Sequence, residues 1–297
     1  METATPECVV STPSRNLEGL LADVVCGLQQ GKLLPYLGAG AVLLEPANQS
    51  LPMRPEALAS ILSKRTAVPA RLRKNLTGAA QYIENFRHRK VLRGYMRDAF
   101  AQPAVPSALH RWLISLKPPL VVDTGYDAAS AIAFQEAMSE AVWGQVQGIS
   151  RAEIVGVGGG DQWVGYFDAE GQSVSADKVP DWLSLLYKPF GCVSPGGHFL
   201  VSDSDFVEVL TEIDIQTPIP PGVQLRRSGR GFLFLGCRFD DQLARTYARQ
   251  IMKRSGGRHF VVMEEEPTRN EAKFIAEQGI SRLPISLSEF FSFSQSL

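Results

Sequence analysis

The sequence has little of what marks secreted, membrane-spanning or metal-binding proteins. Its 297 residues include four cysteines and four histidines. The cysteines form no Cys-x-x-Cys pair and do not gather with histidines at metal-ligand spacing, so we expect reduced thiols and no metal site. No apolar run approaches the roughly 20 residues that cross a bilayer, and no basic start followed by an apolar run marks a signal peptide. We therefore expect a cytoplasmic protein that does not enter a membrane.

An excess of charge of one sign is also lacking. The formal net charge is −1, from 30 basic and 31 acidic residues. Such a balance gives no global field that would attract DNA, RNA or an anionic membrane surface. The densest basic stretch, residues 87–97, alternates with apolar residues in the manner of a solvated helix face. The sequence thus gives no strong signal for nucleic-acid binding.

A glycine turn follows the first apolar strand. Residues 33–43 read LLPYLGAGAVL, in which Gly38, Ala39 and Gly40 come directly after the strand. Glycine lets the chain turn sharply and lets a ligand approach the backbone without meeting a Cβ atom. This layout is typical of a phosphate-binding turn. A complete dinucleotide fingerprint has a third glycine where this chain has Leu43, so a simple tight turn is the alternative interpretation.

Apolar periodicity divides the chain into recurring strands and helices. We predict a loose arm over 1–15 and one nucleotide-binding unit over 16–297, with a helical insertion at about 55–116 and a small mixed lobe at about 136–190. In the lobe, the segments AEIVGV and DQWVGYFDAEG suggest a hairpin that turns at Gly158–Gly160. Strands such as LVVD and GFLFLG alternate with helices elsewhere. This alternation predicts an α/β fold, a Rossmann-like, mainly parallel sheet with helices on both faces, whose ligands bind beyond the carboxyl ends of the strands.

Several separated segments resemble one family. LPYLGAGA, VVDTGYDAA, YKPFGCV, HFLVSDSDFVEVL and GFLFLGCRFDD occur in this order along the chain. They resemble the sirtuin-like family of the prokaryotic, silent-information-regulator type: its glycine turn, its Thr-Thr-Asn-Tyr-Asp segment, its Lys-x-His-Gly-Ser segment, the stretch that follows, and the segment near the adenosine end. The resemblance implies an NAD-binding sheet with a smaller lobe and chemistry at the nicotinamide–ribose bond. In many bacterial relatives that chemistry is NAD hydrolysis during antiphage defence.

The chain departs from the family at the two positions that carry this chemistry. The family's asparagine falls on Gly125 and its histidine falls on Phe190. Cleavage of the glycosidic bond generates an oxocarbenium-like ribose, which needs a polar group to place water and a base near neutral pH. Glycine and phenylalanine supply neither. We therefore expect a catalytically degenerate relative, a pseudoenzyme.

The glycine turn and the resembling motifs together provide the candidate nucleotide contacts. We assign binding of NAD or ADP-ribose to Gly38, Ala39, Gly40, Thr124, Asp127, Gly236 and Cys237. The Asp127 carboxylate could accept hydrogen bonds from a carboxamide or a ribose, or it could close an Asx turn. His198 follows two glycines and could replace the missing base, or it could simply begin a strand. Asp127 and His198 are the weak candidates for catalysis, and His110 is expected to be structural.

Three hypotheses of function remain open at this point. In the first, the protein holds NAD, ADP-ribose or a related nucleotide without turning it over, and acts as a sensor or regulatory module for a protein partner or a second copy of itself. In the second, it is an active NAD hydrolase or transferase that uses Asp127, His198 or a residue supplied by a partner. In the third, it is a structural subunit whose pocket is filled by side chains such as Phe190. Nucleotide binding and nicotinamide release distinguish the three.

Overall fold

The computed structural model describes residues 17–138, 142–150, 153, 163–215 and 219–297; the arm expected at 1–15 and the turn expected at Gly158–Gly160 lie outside the described residues. The helices are α1 (Leu17–Gln29), α2 (Ala39–Leu43), α3 (Pro55–Arg65), α4 (Leu76–Arg87), α5 (Arg89–Ala99), α6 (Ala108–Ser115), α7 (Ala129–Ala137), α8 (Asp203–Ile215), α9 (Pro221–Arg227), α10 (Gln242–Met252), α11 (Arg269–Glu277) and α12 (Leu287–Ser294). The strands are β1 (Leu33–Leu37), β2 (Leu120–Asp123), β3 (Trp143–Gly148), β4 (Val164–Asp168), β5 (Ser173–Val174), β6 (Ser184–Lys188), β7 (Gly191–Cys192), β8 (His198–Phe199), β9 (Gly231–Leu235), β10 (His259–Val262) and β11 (Ile280–Leu283).

One large sheet organises the described part of the chain. Its nine strands follow the order β11-β10-β9-β1-β2-β6-β3-β4-β5. Neighbouring strands from β11 to β3 run parallel, whereas β4 and β5 are antiparallel additions at one edge. Strands β7 and β8 form a separate antiparallel pair. The prediction of a Rossmann-like, mainly parallel α/β sheet is confirmed.

Apolar side chains cover both faces of this sheet. On β1, Leu34 belongs to one cluster of buried residues and Leu33 to a second cluster, because successive side chains of a strand point to opposite faces. Helix α10 packs into the first cluster through Tyr247, and α1 packs into the second through Leu28. Burying a leucine side chain contributes roughly 1.5–3 kcal/mol relative to leaving it exposed. Apolar burial on both faces therefore holds the central strands between two layers of helices.

The insertion packs against the β7–β8 pair, and the lobe supplies strands to the main sheet. Helices α3 to α6 occupy the stretch 55–116, and α3, α4 and α5 share a third buried cluster that includes Phe199 of β8. The stretch 136–190 contributes β3, β4, β5 and β6, and β6 lies between β2 and β3 in the main sheet. The division of the chain into domains stays a prediction. No helix in the described ranges is long and apolar enough to cross a membrane.

The hairpin in this region has a different first strand from the expected one. β4 pairs antiparallel with β3 on one side and with β5 on the other; most of the segment AEIVGV lies outside the described residues. β3 reads WGQVQG and lies between β4 and β6, and its Gln145 and Gln147 side chains are buried. Two glutamines interrupt the apolar pattern that identifies a buried strand. The sequence therefore points to the wrong partner for β4.

Candidate functional site

The strand order places a crevice between β1 and β9. The chain passes from β1 to β2 on one side, and β9 later joins β1 on the other side. In open α/β sheets, ligands bind outside the carboxyl ends of the strands where the order reverses in this way. Gly38, Ala39 and Gly40 follow β1 at this point, and Gly236 and Cys237 follow β9. The fold thus brings these two segments together, and the third segment, Thr124 and Asp127, follows β2 on the other side of β1.

The two glycine turns pack directly against each other. Gly38 donates its N–H to the carbonyl of Leu235 at 2.9 Å, and Gly40 donates to the carbonyl of Gly236 at 3.0 Å. A Cβ atom on Gly38 would stand 2.5 Å from the Gly236 oxygen, and one on Gly40 would stand 2.8 Å from the Gly236 Cα atom. Gly236 also has a φ of +68°, which favours glycine. Close approach of two backbones accounts for these glycines, so their contact with a phosphate stays a prediction.

A buried ion pair lies at the neighbouring strand ends. Lys188, the last residue of β6, donates to Asp123, the last residue of β2, with a distance of 2.8 Å between Nζ and Oδ2. Asp123 also accepts hydrogen bonds from the Ser130 hydroxyl at 2.6 Å and from the Gly125 N–H at 2.8 Å. Burial alone lowers the pKa of Lys188, but the charge of Asp123 and of further acidic groups beside it raises that pKa above its usual value. Lys188 therefore keeps its proton at neutral pH.

Asp127 combines a structural contact with an unused oxygen. Its Oδ1 accepts the Ala129 N–H at 2.8 Å, which is the Asx turn that the sequence offers as one interpretation. Its backbone carbonyl accepts from Lys188 Nζ at 2.8 Å and from Cys192 Sγ at 3.0 Å. Its Oδ2 is buried without a hydrogen-bond partner in the described part of the chain. Burial raises the pKa of Asp127, although the Lys188 charge opposes that rise. A buried acceptor oxygen without a partner is unfavourable unless a ligand supplies a donor.

Gly125 makes room for this carboxylate. A Cβ atom on Gly125 would overlap Asp127 Oδ2 and would stand 3.2 Å from Asp123 Oδ1. The resemblance places the family's asparagine at this position. An asparagine side chain at position 125 would need the space that the Asp127 carboxylate occupies. The observed Asp127 conformation therefore requires a residue without a side chain at position 125.

Thr124 and Cys237 are held by backbone contacts. Thr124 donates both its N–H and its hydroxyl to the carbonyl of Leu37, each at 3.0 Å. The Cys237 thiol is buried and lies 3.5 Å from the carbonyl of Tyr36. Burial raises the pKa of Cys237 far above its usual value, so the thiolate that a nucleophile requires does not form near neutral pH.

Phe190 lies in an aromatic cluster. Its ring packs edge-to-face with Tyr247 at a centroid distance of 4.6 Å and with Phe206 at 5.4 Å. A neighbouring cavity lined by Tyr187 and Leu200 has a volume of about 10 Å³, and Tyr247 also lines it. A volume of this size holds no more than one water molecule. Apolar side chains thus fill the surroundings of the position where the family places its histidine.

His198 has Glu153 as its side-chain partner, while its strand partner Cys192 contacts the Asp127 carbonyl. It begins β8, and its Nδ1 forms a short hydrogen bond with the carboxylate of Glu153. Arg89 and Arg93 approach the same carboxylate at 3.5 and 3.7 Å. Burial raises the pKa of Glu153, but the hydrogen bond from His198 and the arginine charges hold it below its usual range. The structure therefore adds Glu153 to the candidate residues, and no motif or spacing in the sequence identifies it.

His110 is a core residue. It is fully buried, and its Nδ1 lies 2.7 Å from the hydroxyl of Ser107, the residue that caps α6. Burial lowers the pKa of His110 to about 4, so the ring is neutral near pH 7. These contacts agree with the structural role expected from the sequence.

Comparison with known proteins gives one family match. The model of the SIR2-like domain matches residues 119–283, which is more than half of the chain. The match begins just before β2 and ends with β11, so it includes Asp123, Asp127, Lys188 and Cys237 but not the turn after β1. No curated protein gives a significant match to the chain.

Proposed function

Since this chain belongs to the SIR2-like family, we propose that it binds NAD or ADP-ribose at the carboxyl ends of β1, β2 and β9 and leaves the bond between nicotinamide and ribose intact. One observation carries the proposal: at the family's two catalytic positions the chain has Gly125 and Phe190, and the contacts of both residues fill the space with other groups. The proposal has a binding part and a catalytic part, which rest on different residues.

The binding part rests on the crevice and on Asp127. The switch point between β1 and β9 is where α/β sheets of this kind take their ligands. Asp127 Oδ2 is an acceptor buried without a described partner, and a ribose hydroxyl or a carboxamide N–H is a donor that fits it. NAD supplies both donors, and ADP-ribose supplies the hydroxyls.

The catalytic part rests on the absence of the family's asparagine and histidine side chains at positions 125 and 190, which are Gly125 and Phe190 here. Glycosidic cleavage needs a group that positions water and a base that accepts a proton. The Gly125 position is occupied by the Asp127 carboxylate, and the Phe190 ring is packed against Tyr247. Neither position offers a side chain that titrates near neutral pH. Binding without turnover follows, and the bound state can then be recognised by a protein partner or a second copy of the chain.

A second candidate function is NAD hydrolysis, as in the antiphage relatives that the resemblance suggests. The pair of His198 and Glu153 favours it, because a carboxylate on Nδ1 fixes the imidazole and leaves Nε2 for proton transfer. Against it, the contacts of Asp127 join it to Lys188 and Cys192 rather than to His198. The third hypothesis, a structural subunit, draws its support from the aromatic cluster around Phe190.

Calorimetric titration with ADP-ribose tests the binding part. Wild type is compared with Asp127→Asn, which keeps the shape and the acceptor for Ala129 but replaces the unused oxygen with a donor. Asp181→Asn, at an exposed position, is the matched control. We expect binding by wild type and the control, and a Kd at least about tenfold higher for Asp127→Asn, since tenfold corresponds to 1.4 kcal/mol. Absence of binding by wild type would favour the structural subunit, and equal affinity in all three proteins would remove Asp127 from the site.

A further inference from the structure

A polar cleft separates two neighbouring helices on one face of the sheet. Residues Gln242, Arg245, Thr246 and Arg249 of α10 line one side, and residues Asn270, Lys273 and Glu277 of α11 line the other. The ring of Phe274 lies beneath them and is 2% exposed. The cleft has a volume of about 270 Å³. It shares no residue with the proposed nucleotide site.

Positive charge is concentrated in this cleft. Arg245 and Arg249 lie four residues apart on one face of α10, and Lys273 faces them from α11. Like charges at this helical spacing destabilise a helix by roughly 0.2–0.5 kcal/mol for each pair. The carboxylate of Glu277 offsets part of the charge, because it lies 3.7 Å from Lys273 Nζ. The remaining excess of cations favours an anion in the cleft.

Both arginines have restrained orientations. Arg245 Nη1 donates to the carbonyls of Phe239 at 2.5 Å and Asp240 at 2.8 Å. The Arg249 guanidinium lies over the Phe274 ring, 5.9 Å from its centroid. A guanidinium has five N–H donors in a fixed plane, so these contacts leave further donors for a ligand. Restrained donors lose less conformational entropy on binding than free ones.

We propose that this cleft is a binding site for a small polyanion that carries two or more linked phosphate groups. The cleft volume of about 270 Å³ accommodates a compact anion such as pyrophosphate. Planar guanidinium groups bind phosphate oxygens in pairs, and Lys273 adds a point charge from the opposite side. The amides of Gln242 and Asn270 supply neutral donors at the same rim.

Titration with inorganic pyrophosphate at constant ionic strength tests the proposal. The variants Arg249→Gln and Lys273→Gln each remove one charge from the cleft. Lys253→Gln removes one charge from the exposed end of the same helix α10, outside the cleft, and is the matched control. We expect the Kd for pyrophosphate to rise at least about tenfold in both cleft variants and to stay unchanged in the control. No binding by wild type, or equal weakening in the control, would overturn the proposal.

Titration of the same proteins with ADP-ribose separates this site from the nucleotide site. The diphosphate of ADP-ribose and free pyrophosphate share their chemistry, so both ligands are measured on the same variants. We expect Lys273→Gln to keep its affinity for ADP-ribose while losing affinity for pyrophosphate. Joint loss of both ligands would support the phosphate chemistry of the cleft and overturn the placement of the nucleotide at β1 and β9. Binding of ADP-ribose alone by wild type would overturn only the pyrophosphate site.

Discussion

Lys188 and Asp123 form an ion pair of 2.8 Å between two side chains that are almost fully buried at the ends of adjacent strands. Lys188 also donates to the backbone carbonyl of Asp127, so one ammonium group joins the end of β6 to the turn that follows β2. A buried pair contributes little when compared with an apolar pair, but loss of one partner leaves a charge without compensation. The pair therefore fixes the geometry of the turn on which the nucleotide proposal depends.

Replacing Lys188 with methionine tests this role. The substitution leaves the Asp123 carboxylate buried with only its bonds from Ser130 and Gly125. We expect the free energy of unfolding to fall by about 3–5 kcal/mol in urea titrations at pH 7. Lys178→Met, at an exposed position, is the control and should change stability by less than about 0.5 kcal/mol. A loss below about 1 kcal/mol in Lys188→Met would contradict a structural role for the pair.

Asp127→Asn should weaken nucleotide binding but increase the stability of the ligand-free protein. Burial raises the folded-state pKa of Asp127, so its ionised form destabilises the folded protein above that pKa. An asparagine carries no charge at any pH. We expect Asp127→Asn to be more stable than wild type at pH 7 without ligand, with a difference that shrinks as acid protonates Asp127. Thermal unfolding from pH 7 to pH 4 measures this, and a less stable variant at pH 7 would count against the assignment.

Gly125 and Asp127 should be coupled energetically. An alanine at position 125 places its Cβ atom against Asp127 Oδ2. In wild type we expect Gly125→Ala to cost about 1–3 kcal/mol, as overpacking does. In an Asp127→Ala background the same change should cost less, because only the 3.2 Å approach of the Cβ atom to Asp123 Oδ1 remains. A double-mutant cycle measured by urea unfolding gives the coupling energy. Additive effects would show that the Asp127 carboxylate is not the reason for a glycine at position 125.

His110 should make the protein sensitive to mild acid. Its folded-state pKa is about 4, below the unfolded value of about 6.5, so the unfolded chain binds a proton more readily. The buried neutral ring costs no stability above about pH 6.5, and the free energy of unfolding falls as the pH drops toward 4. We expect a loss of about 2 kcal/mol between pH 7 and pH 5 in wild type, and a smaller loss in His110→Asn. Parallel pH profiles for the two proteins would contradict a buried, neutral His110.

Helices and central strands could be predicted from the sequence where the apolar pattern extends over the whole element. The segment GFLFLG predicts the strand that the structure has at Gly231–Leu235. β11 shows the limit of such predictions: RLPIS suggests a strand from Arg282, whereas the structure has Ile280–Leu283. This strand lies at the sheet edge with its two central side chains half-buried, and Pro284 has no N–H to continue the ladder. The apolar pattern of this strand is therefore weak, and it predicts a strand that begins two residues too late.

Residues of the candidate site could be predicted from the sequence only where they belong to a recognisable motif. Asp127 follows from its motif, and the structure adds the unused oxygen. The pairs Lys188–Asp123 and His198–Glu153 join residues that lie 65 and 45 positions apart in the sequence. No local period or spacing relates residues so distant, and tertiary packing alone brings them together. The same holds for the contact between the turns after β1 and β9, which gives Gly38 and Gly40 a structural reason that a single sequence does not show.

Incubation of the purified protein with NAD tests the central claim most directly. Bound nucleotide is released by denaturation and quantified by chromatography, together with free nicotinamide in the mixture. The account predicts NAD recovered intact from the protein, with nicotinamide no higher than in a protein-free control. Nicotinamide release that depends on protein concentration, and that Asp127→Ala or His198→Ala abolishes, would contradict it and identify an active hydrolase.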